Sequence, residues 1–161
     1  AAGATITYVE QLKGPEILAA MQALGTTIML VVPRLLQLFH DSIERQVASS
    51  GALKRGMFRV LGALSATGGP RVARRLFAPV HKKFGGKLRM FVSGGARLDP
   101  ELWHAFHRLG FIVHEGYGMT ETAPVLTCTP QGSEKPGSVG PPLPNVQSFS
   151  KHSRVASGLF Q

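Results

Sequence analysis

This 161-residue chain is short of cysteine, tryptophan and acid, with one, one and nine residues of each. With Cys128 alone, an intrachain disulfide is impossible and a cysteine-rich zinc site is excluded, which fits a reducing cytoplasm. Long apolar runs are missing too. The most continuous one, Ile28 to Val32, is closed by Pro33 and Arg34 and falls far short of the roughly 20 residues that cross a bilayer. The chain opens on Ala1-Ala2-Gly3-Ala4-Thr5 without methionine, charged n-region or cleavage-site pattern, so no secretory signal is expected and it reads as a cut from a longer protein. There is no internal repeat and no long low-complexity tract.

The shortage of acid is uneven. Between Arg45 and Asp99 there is no acidic residue, while Lys54, Arg55, Arg71, Lys82, Lys83 and Arg89 are among the cations there. Such a segment attracts phosphates, nucleic acid or an anionic membrane face. It also suits a solvated helical surface whose acidic partners lie elsewhere in a longer protein. Its aromatics are only Phe58, Phe77, Phe84 and Phe91, and most of these suit apolar faces, which argues against a nucleic-acid surface. Met57, Phe58, Val60, Leu61 and Leu64 interleaved with Lys54, Arg55 and Arg59 suggest either a membrane-surface helix or packing against another part of the protein.

With 43% hydrophobic and 17% charged residues, the chain can bury a core and form one globular domain. Thr5 to Val9 is β-branched and predicts a strand; Glu16 to Leu24 predicts a helix stopped by Gly25. Thr26 to Val32 reads as a strand buried on both faces. From Pro33, Leu35, Leu38, Phe39, Ile43 and Val47 keep helical spacing, and that pattern runs on past Ser49-Ser50-Gly51 toward Leu64. Thr67-Gly68-Gly69-Pro70 predicts a break, Val72 to Phe84 a basic helix ended by Gly85-Gly86, and Leu88 to Val92 a strand. Asp99-Pro100 is an N-cap with proline at the first helical position; Leu102, Ala105, Phe106 and Leu109 form an apolar face that ends at Gly110. Phe111 to Val113 is one more strand. Alternating strands and helices predict an α/β fold, a parallel sheet flanked by helices.

Ligands bind such sheets outside the carboxyl ends of the strands. Two loops qualify: Ser93-Gly94-Gly95-Ala96 after one strand, and His114-Glu115-Gly116-Tyr117-Gly118-Met119-Thr120-Glu121 after the next. In the second, an aromatic face, a hydroxyl and a carboxylate share one glycine-rich turn. Tyr117 suits a purine ring, Thr120 a phosphate oxygen and Glu121 a magnesium ion, whose ligands are oxygens. His104 and His107 stand at i, i+3 on one helix, but no cysteine or nearby carboxylate completes a metal site, so a solvated helical surface is expected there.

Gly116 to Glu121 with Thr122-Ala123-Pro124 resembles the signature of the adenylate-forming enzymes, the superfamily of acyl-CoA synthetases, luciferases and peptide-synthetase adenylation domains. Val32-Pro33-Arg34, Phe91 to Ala96 with Leu98-Asp99, and Lys135 to Pro142 resemble further motifs of that family, in order and at family spacing. The Ser-Gly-Gly-Ala loop and the basic insert from Ala48 to Lys87 are most similar to long-chain fatty acyl-CoA synthetases. The resemblance implies part of the large N-terminal domain of an ATP-dependent ligase. Such a ligase makes an acyl-adenylate and pyrophosphate from a carboxylate and ATP, then passes the acyl group to coenzyme A. It implies that Gly94, Gly95 and Ala96 line the adenine and acyl pocket and that Glu115, Gly116 and Tyr117 hold and cover the adenine. Gly118 and Met119 complete the AMP-binding turn, Thr120 contacts the α-phosphate and Glu121 binds Mg2+; Thr120 and Glu121 are then the catalytic pair.

The family's phosphate loop, ribose-binding aspartate and C-terminal lysine have no counterpart here, so the chain is expected to be an inactive fragment. Residues 1–147 are expected to be a partial AMP-binding domain, and 148–161, polar, basic and unpatterned, a divergent disordered tail. Two other readings stand beside this one: a basic membrane-surface or nucleic-acid binding module, and an adenylating enzyme that delivers to a carrier protein. The expected location is cytoplasmic, with peripheral contact to the inner face of the membrane through residues 54–89.

Overall fold

The computed structural model describes residues 3, 5–9, 13–122, 125–130, 132–144 and 146, without the side chains of 52–55, 59, 63–68 and 122. The expected tail at 148–161 and the Ala123-Pro124 end of the signature lie outside the described residues. In chain order the elements are α1 (Gly14–Leu24), β1 (Ile28–Val31), α2 (Pro33–Ser49), α3 (Ala52–Leu76), α4 (Ala78–Lys83), β2 (Met90–Ser93), α5 (Pro100–Arg108), β3 (Ile112–Tyr117) and β4 (Thr127–Cys128).

The α/β alternation is as expected, and the four-stranded sheet has the order β1-β2-β3-β4. β1, β2 and β3 run parallel, with Val31 beside Ser93 and Ser93 beside Glu115. β4 adds an antiparallel edge through Gly116 and Tyr117. Because side chains alternate across a strand, Val31, Phe91 and Val113 share the face that carries the core. There Phe91 meets Phe39, Phe84, Phe106 and Phe111 at ring-centroid distances from 5.4 to 6.4 Å. The opposite face, with Ile28, Leu30, Met90, Val92 and Ile112, is exposed at β1 and half-buried at β2 and β3.

Local signals explain most boundaries. Gly25 closes α1 in the left-handed conformation, its N–H returning to the Met21 carbonyl. Asp99 caps α5 by accepting from the Glu101 N–H at 2.8 Å. Gly110, at φ +83, is where a Cβ would lie 2.5 Å from the Arg74 amide nitrogen, so the loop after α5 crosses α3 at a distance only glycine permits.

Four expectations need correction. Thr5 to Val9 forms no ladder with any described strand, and Ile6 and Tyr8 stand exposed; β propensity without a partner does not make a strand. The helix from Pro33 stops at Ser50, which is extended, rather than running on. The helix expected over Val72 to Phe84 is broken at Phe77, because Pro79 lacks an N–H and its ring crowds the carbonyl four residues back. Thr26 to Val32 is not buried on both faces, since Ile28 and Leu30 stand exposed. The break expected at Thr67 to Pro70 is present: Gly69, at φ 75 and ψ 173 ahead of Pro70, interrupts the helical backbone of α3.

Candidate functional site

β2 and β3 are parallel neighbours, so the loops that leave them open on one edge. They touch there. A Cβ on Gly94 would sit 3.4 Å from the Gly116 carbonyl oxygen, and the Gly94 N–H donates to the Val31 carbonyl at 3.1 Å, drawing the end of β1 to the same place. Gly95 takes φ +82 and carries the chain through a left-handed turn into exposed Ala96. Ser93, 2% exposed, has a buried hydroxyl with no partner among the described residues.

The second loop differs from its expected form. His114 through Tyr117 do not belong to a turn; they continue β3, because β4 pairs with Gly116 and Tyr117 from the far side. The turn begins at Gly118. Along this outer edge every outward carbonyl is satisfied: Val113 accepts from the Trp103 indole at 3.1 Å, Glu115 from the Thr129 amide at 2.9 Å and Tyr117 from the Leu126 amide at 2.8 Å. Tyr117 and Met119 are both about half exposed, so an aromatic and a thioether stand at the open edge. Thr120 and Glu121 follow on an exposed single 3-10 turn, Thr120–Thr122.

The structure therefore brings Gly94, Gly95, Gly116 and Tyr117 to one edge and presents Thr120 and Glu121 to solvent just past it. Glu115 is different. Its side chain is buried and Oε1 accepts from the Gly137 N–H at 3.1 Å, so its carboxylate faces the protein. Among the described residues no cluster of three or more His, Cys, Asp or Glu forms a closed metal site. One exposed carboxylate beside a hydroxyl fits magnesium, which keeps several waters and arrives with phosphate oxygens.

Sequence reading missed the group behind the site. Glu134 Oε1 lies 3.1 Å from His114 Nε2, at ion-pair distance although off the line of an aligned hydrogen bond, with both side chains nearly buried. It also accepts from the Gly132 N–H at 2.9 Å. Burial works to raise the Glu134 pKa, but N–H donors and the two facing imidazoles, His114 and His107, outweigh it and hold the carboxyl below its usual range. His107 corrects the solvated-surface expectation: its ring stacks on Trp103 at 3.7 Å, and burial lowers its pKa despite the opposing pull of Glu134. His104 is exposed, as expected. The i, i+4 spacing of Trp103 and His107 was the available signal, since such pairs meet on a helix.

A protein-family model described as AMP-binding enzyme matches residues 1–149. The chain is similar to the peroxisomal long chain acyl-CoA synthetase 7 of Arabidopsis thaliana, at 35% identity over 75% of this chain and 18% of the relative. It is also similar to long-chain-fatty-acid–CoA ligase 6 of Rattus norvegicus, 35% identical over 77% of this chain and 19% of that one. A third relative is the long-chain-fatty-acid–CoA ligase FadD15 of Mycobacterium bovis, 26% identical over 87% of this chain and 25% of the relative. Among solved structures, the anthranilate CoA ligase AuaEII in complex with anthranoyl-AMP aligns with 78% of this chain and 18% of its own, at 20% identity and a TM-score of 0.48. The chain spans between 18% and 25% of the length of these curated relatives. With the AMP-binding model matching 149 of its 161 residues, the chain belongs to the AMP-binding enzyme family.

Proposed function

We propose that this chain carries the adenine half of the nucleotide site of an ATP-dependent long-chain fatty acyl-CoA ligase. The observation that carries this reading is the close approach of the Gly94 loop to Gly116 on β3 at the carboxyl edge of two parallel strands, where α/β sheets take their ligands. The names of the relatives support a fatty acid as the acyl donor and coenzyme A as the acceptor in the whole enzyme. In this reading Gly94, Gly95, Ala96 and Gly116 let the backbone approach a flat ring closely, and Tyr117 covers it. Gly118 and Met119 shape the turn. Thr120 donates to the α-phosphate, and Glu121 holds the magnesium ion that comes with ATP.

Carboxylate attack on the α-phosphorus crowds negative charge on phosphoryl oxygens. Placement of the two reactants, hydrogen-bond donors and a divalent cation carry such a step, and no acid–base dyad is needed. A titration of the 161-residue chain with AMP, followed by amide NMR, tests the half-site. Shifts confined to Gly94, Gly95, Gly116 and Gly118 are expected; no shift at millimolar AMP would remove the reading.

A second reading concerns location. Met57 and Val60 on α3 are 57% and 60% exposed within the stretch that has no acidic residue, which supports peripheral contact with an anionic, cytoplasmic membrane face. No described helix is long and apolar enough to cross a membrane.

A further inference from the structure

His114 and Glu115 are neighbours on β3 and point to opposite faces of the sheet. The 129–140 segment grips both. On one face Glu134 meets His114 at 3.1 Å; on the other the Gly137 N–H meets the Glu115 carboxylate at 3.1 Å. Between these grips, Lys135-Pro136-Gly137-Ser138 closes a β-turn through the Ser138 N–H and the Lys135 carbonyl at 3.1 Å, with Gly137 at φ +75. Proline followed by a positive-φ glycine is a type II pattern, a stiff four-residue unit. A displacement of Glu134 is therefore carried to the Gly137 N–H. A third tie comes from the single Thr129 hydroxyl proton, shared between the Glu115 carbonyl at 3.0 Å and the Ser138 carbonyl at 3.1 Å.

We propose that Glu134, acting through His114 and the rigid Lys135–Ser138 turn, is a positioning residue that seats the Glu115-Gly116-Tyr117 strand end for its nucleotide. It touches no ligand. Its carboxylate is the hub that α5, β3 and the loop share: His107 faces it from α5, His114 from β3, and the Gly132 N–H from its own loop, with His104 the next imidazole along α5. None of the loop's described residues belongs to the apolar core, so this polar hub supplies the anchoring that a hydrophobic side chain would supply elsewhere. The proposal rests on the nucleotide reading above, and its test is built so that the two can fail separately.

The experiment compares wild type, Glu134→Ala, Glu134→Gln and His114→Gln in the 161-residue chain, with amide hydrogen exchange and AMP titration as readouts. The Gly110 amide, which donates to the His107 carbonyl at 2.9 Å, is the internal reference for intact folding. Glu134→Ala is expected to speed Gly137 exchange by about tenfold relative to Gly110 and to weaken AMP binding by about fivefold, the size of one lost hydrogen bond. Glu134→Gln, which keeps an acceptor for the Gly132 N–H, is expected to recover most of both, and a bulk structural role would not show that recovery. Unchanged Gly137 exchange in both Glu134→Ala and His114→Gln overturns the proposal. Faster exchange with unchanged AMP affinity overturns it as well. If the wild-type chain binds no AMP, the nucleotide reading falls, and the Gly137 exchange alone decides whether Glu134 holds the loop.

Discussion

The Gly137 amide donates to Glu115 Oε1 at 3.1 Å, joining a strand to a loop 22 residues further along the chain. Glu115 is 5% exposed, so removing its carboxylate loses a charge-assisted hydrogen bond and empties a buried site. Glu115→Ala is expected to cost about 1–3 kcal/mol, and Glu115→Gln, which retains an acceptor oxygen, clearly less. Urea unfolding followed by fluorescence of Trp103, the one tryptophan, measures both. Equal losses in the two variants would show that the acceptor is not what Glu115 contributes.

Two glycines of the Gly137-Ser138-Val139-Gly140 stretch have separable roles. Both have positive φ, near +75 and +77, but a Cβ on Gly137 meets only the Arg97 guanidinium at 3.9 Å, whereas on Gly140 it would lie 2.4 Å from the Cys128 carbonyl oxygen. Gly137→Ala therefore carries backbone strain alone, about 1–2 kcal/mol. Gly140→Ala adds a collision with β4 backbone and is expected to cost about 2–5 kcal/mol. Thermal melts of the two variants should rank them in that order; the reverse ranking would mean that β4 yields readily.

Much of this architecture was legible in the chain, for identifiable reasons. α5 is announced by Asp99, Pro100 and Gly110, each acting through its own backbone chemistry, and Leu102, Ala105, Phe106 and Leu109 are buried as their spacing requires. The adjacency of β2 and β3 follows from the single helix between them. What local reading could not supply was partnership at long range. Gly116 looks like a turn residue until β4 is seen to pair with it, and Thr5 to Val9 looks like a strand until it has nothing to pair with. Glu134, in a polar loop, gives no sequence signal of burial. Its role comes from the turn at Pro136-Gly137, which folds the loop back over β3.

Stability should fall in mildly acidic solution because two imidazoles are held neutral. His81 Nε2 lies 2.8 Å from the Leu109 carbonyl, which can only accept, so Nε2 carries the proton and buried Nδ1 has no partner among the described residues. Burial lowers the His81 pKa below its ordinary 6.5, the Leu109 bond opposes that and nearby Arg74 reinforces it; His107 is lowered by burial too. For groups lowered in the folded state, the unfolded chain takes up the proton first as pH falls. The native form thus loses stability from about pH 6.5 downward. The melting temperature is expected to drop between pH 7.5 and 5.5, and His81→Phe, though less stable at pH 7.5, should show a smaller drop. An equal drop in that variant would exclude His81 as a source.

The proposed membrane contact through α3 has a simple signature. The chain is expected to co-sediment with vesicles containing phosphatidylserine and not with pure phosphatidylcholine, and to be released by salt, because each Lys or Arg near such a surface contributes about 1 kcal/mol of screened attraction. Exposed Met57 and Val60 add the apolar part. Met57→Asp with Val60→Asp is expected to weaken the partition by about tenfold or more, each change removing apolar burial and adding repulsion. Binding that ignores both lipid charge and these changes would leave the acid-free stretch as an ordinary solvated surface.

Glu121 offers the sharpest division between chemistry and binding. It is exposed on the turn after Tyr117, away from the apolar core, so its removal should leave the fold intact. In a whole ligase carrying this segment, Glu121→Ala is expected to lower the rate of ATP–pyrophosphate exchange by about a hundredfold or more, since a divalent cation contributes several kcal/mol to the phosphoryl transition state. The KM for the fatty acid should change little, because the carboxylate touches no acyl pocket in the proposed arrangement. The 161-residue chain itself, which spans between 18% and 25% of its relatives, is expected to give no exchange at all. Exchange by that chain, or full adenylation by Glu121→Ala, would each break the assignment at a different point. The first would mean that the edge between Gly94 and Gly116 is a complete site, the second that magnesium is held by other oxygens.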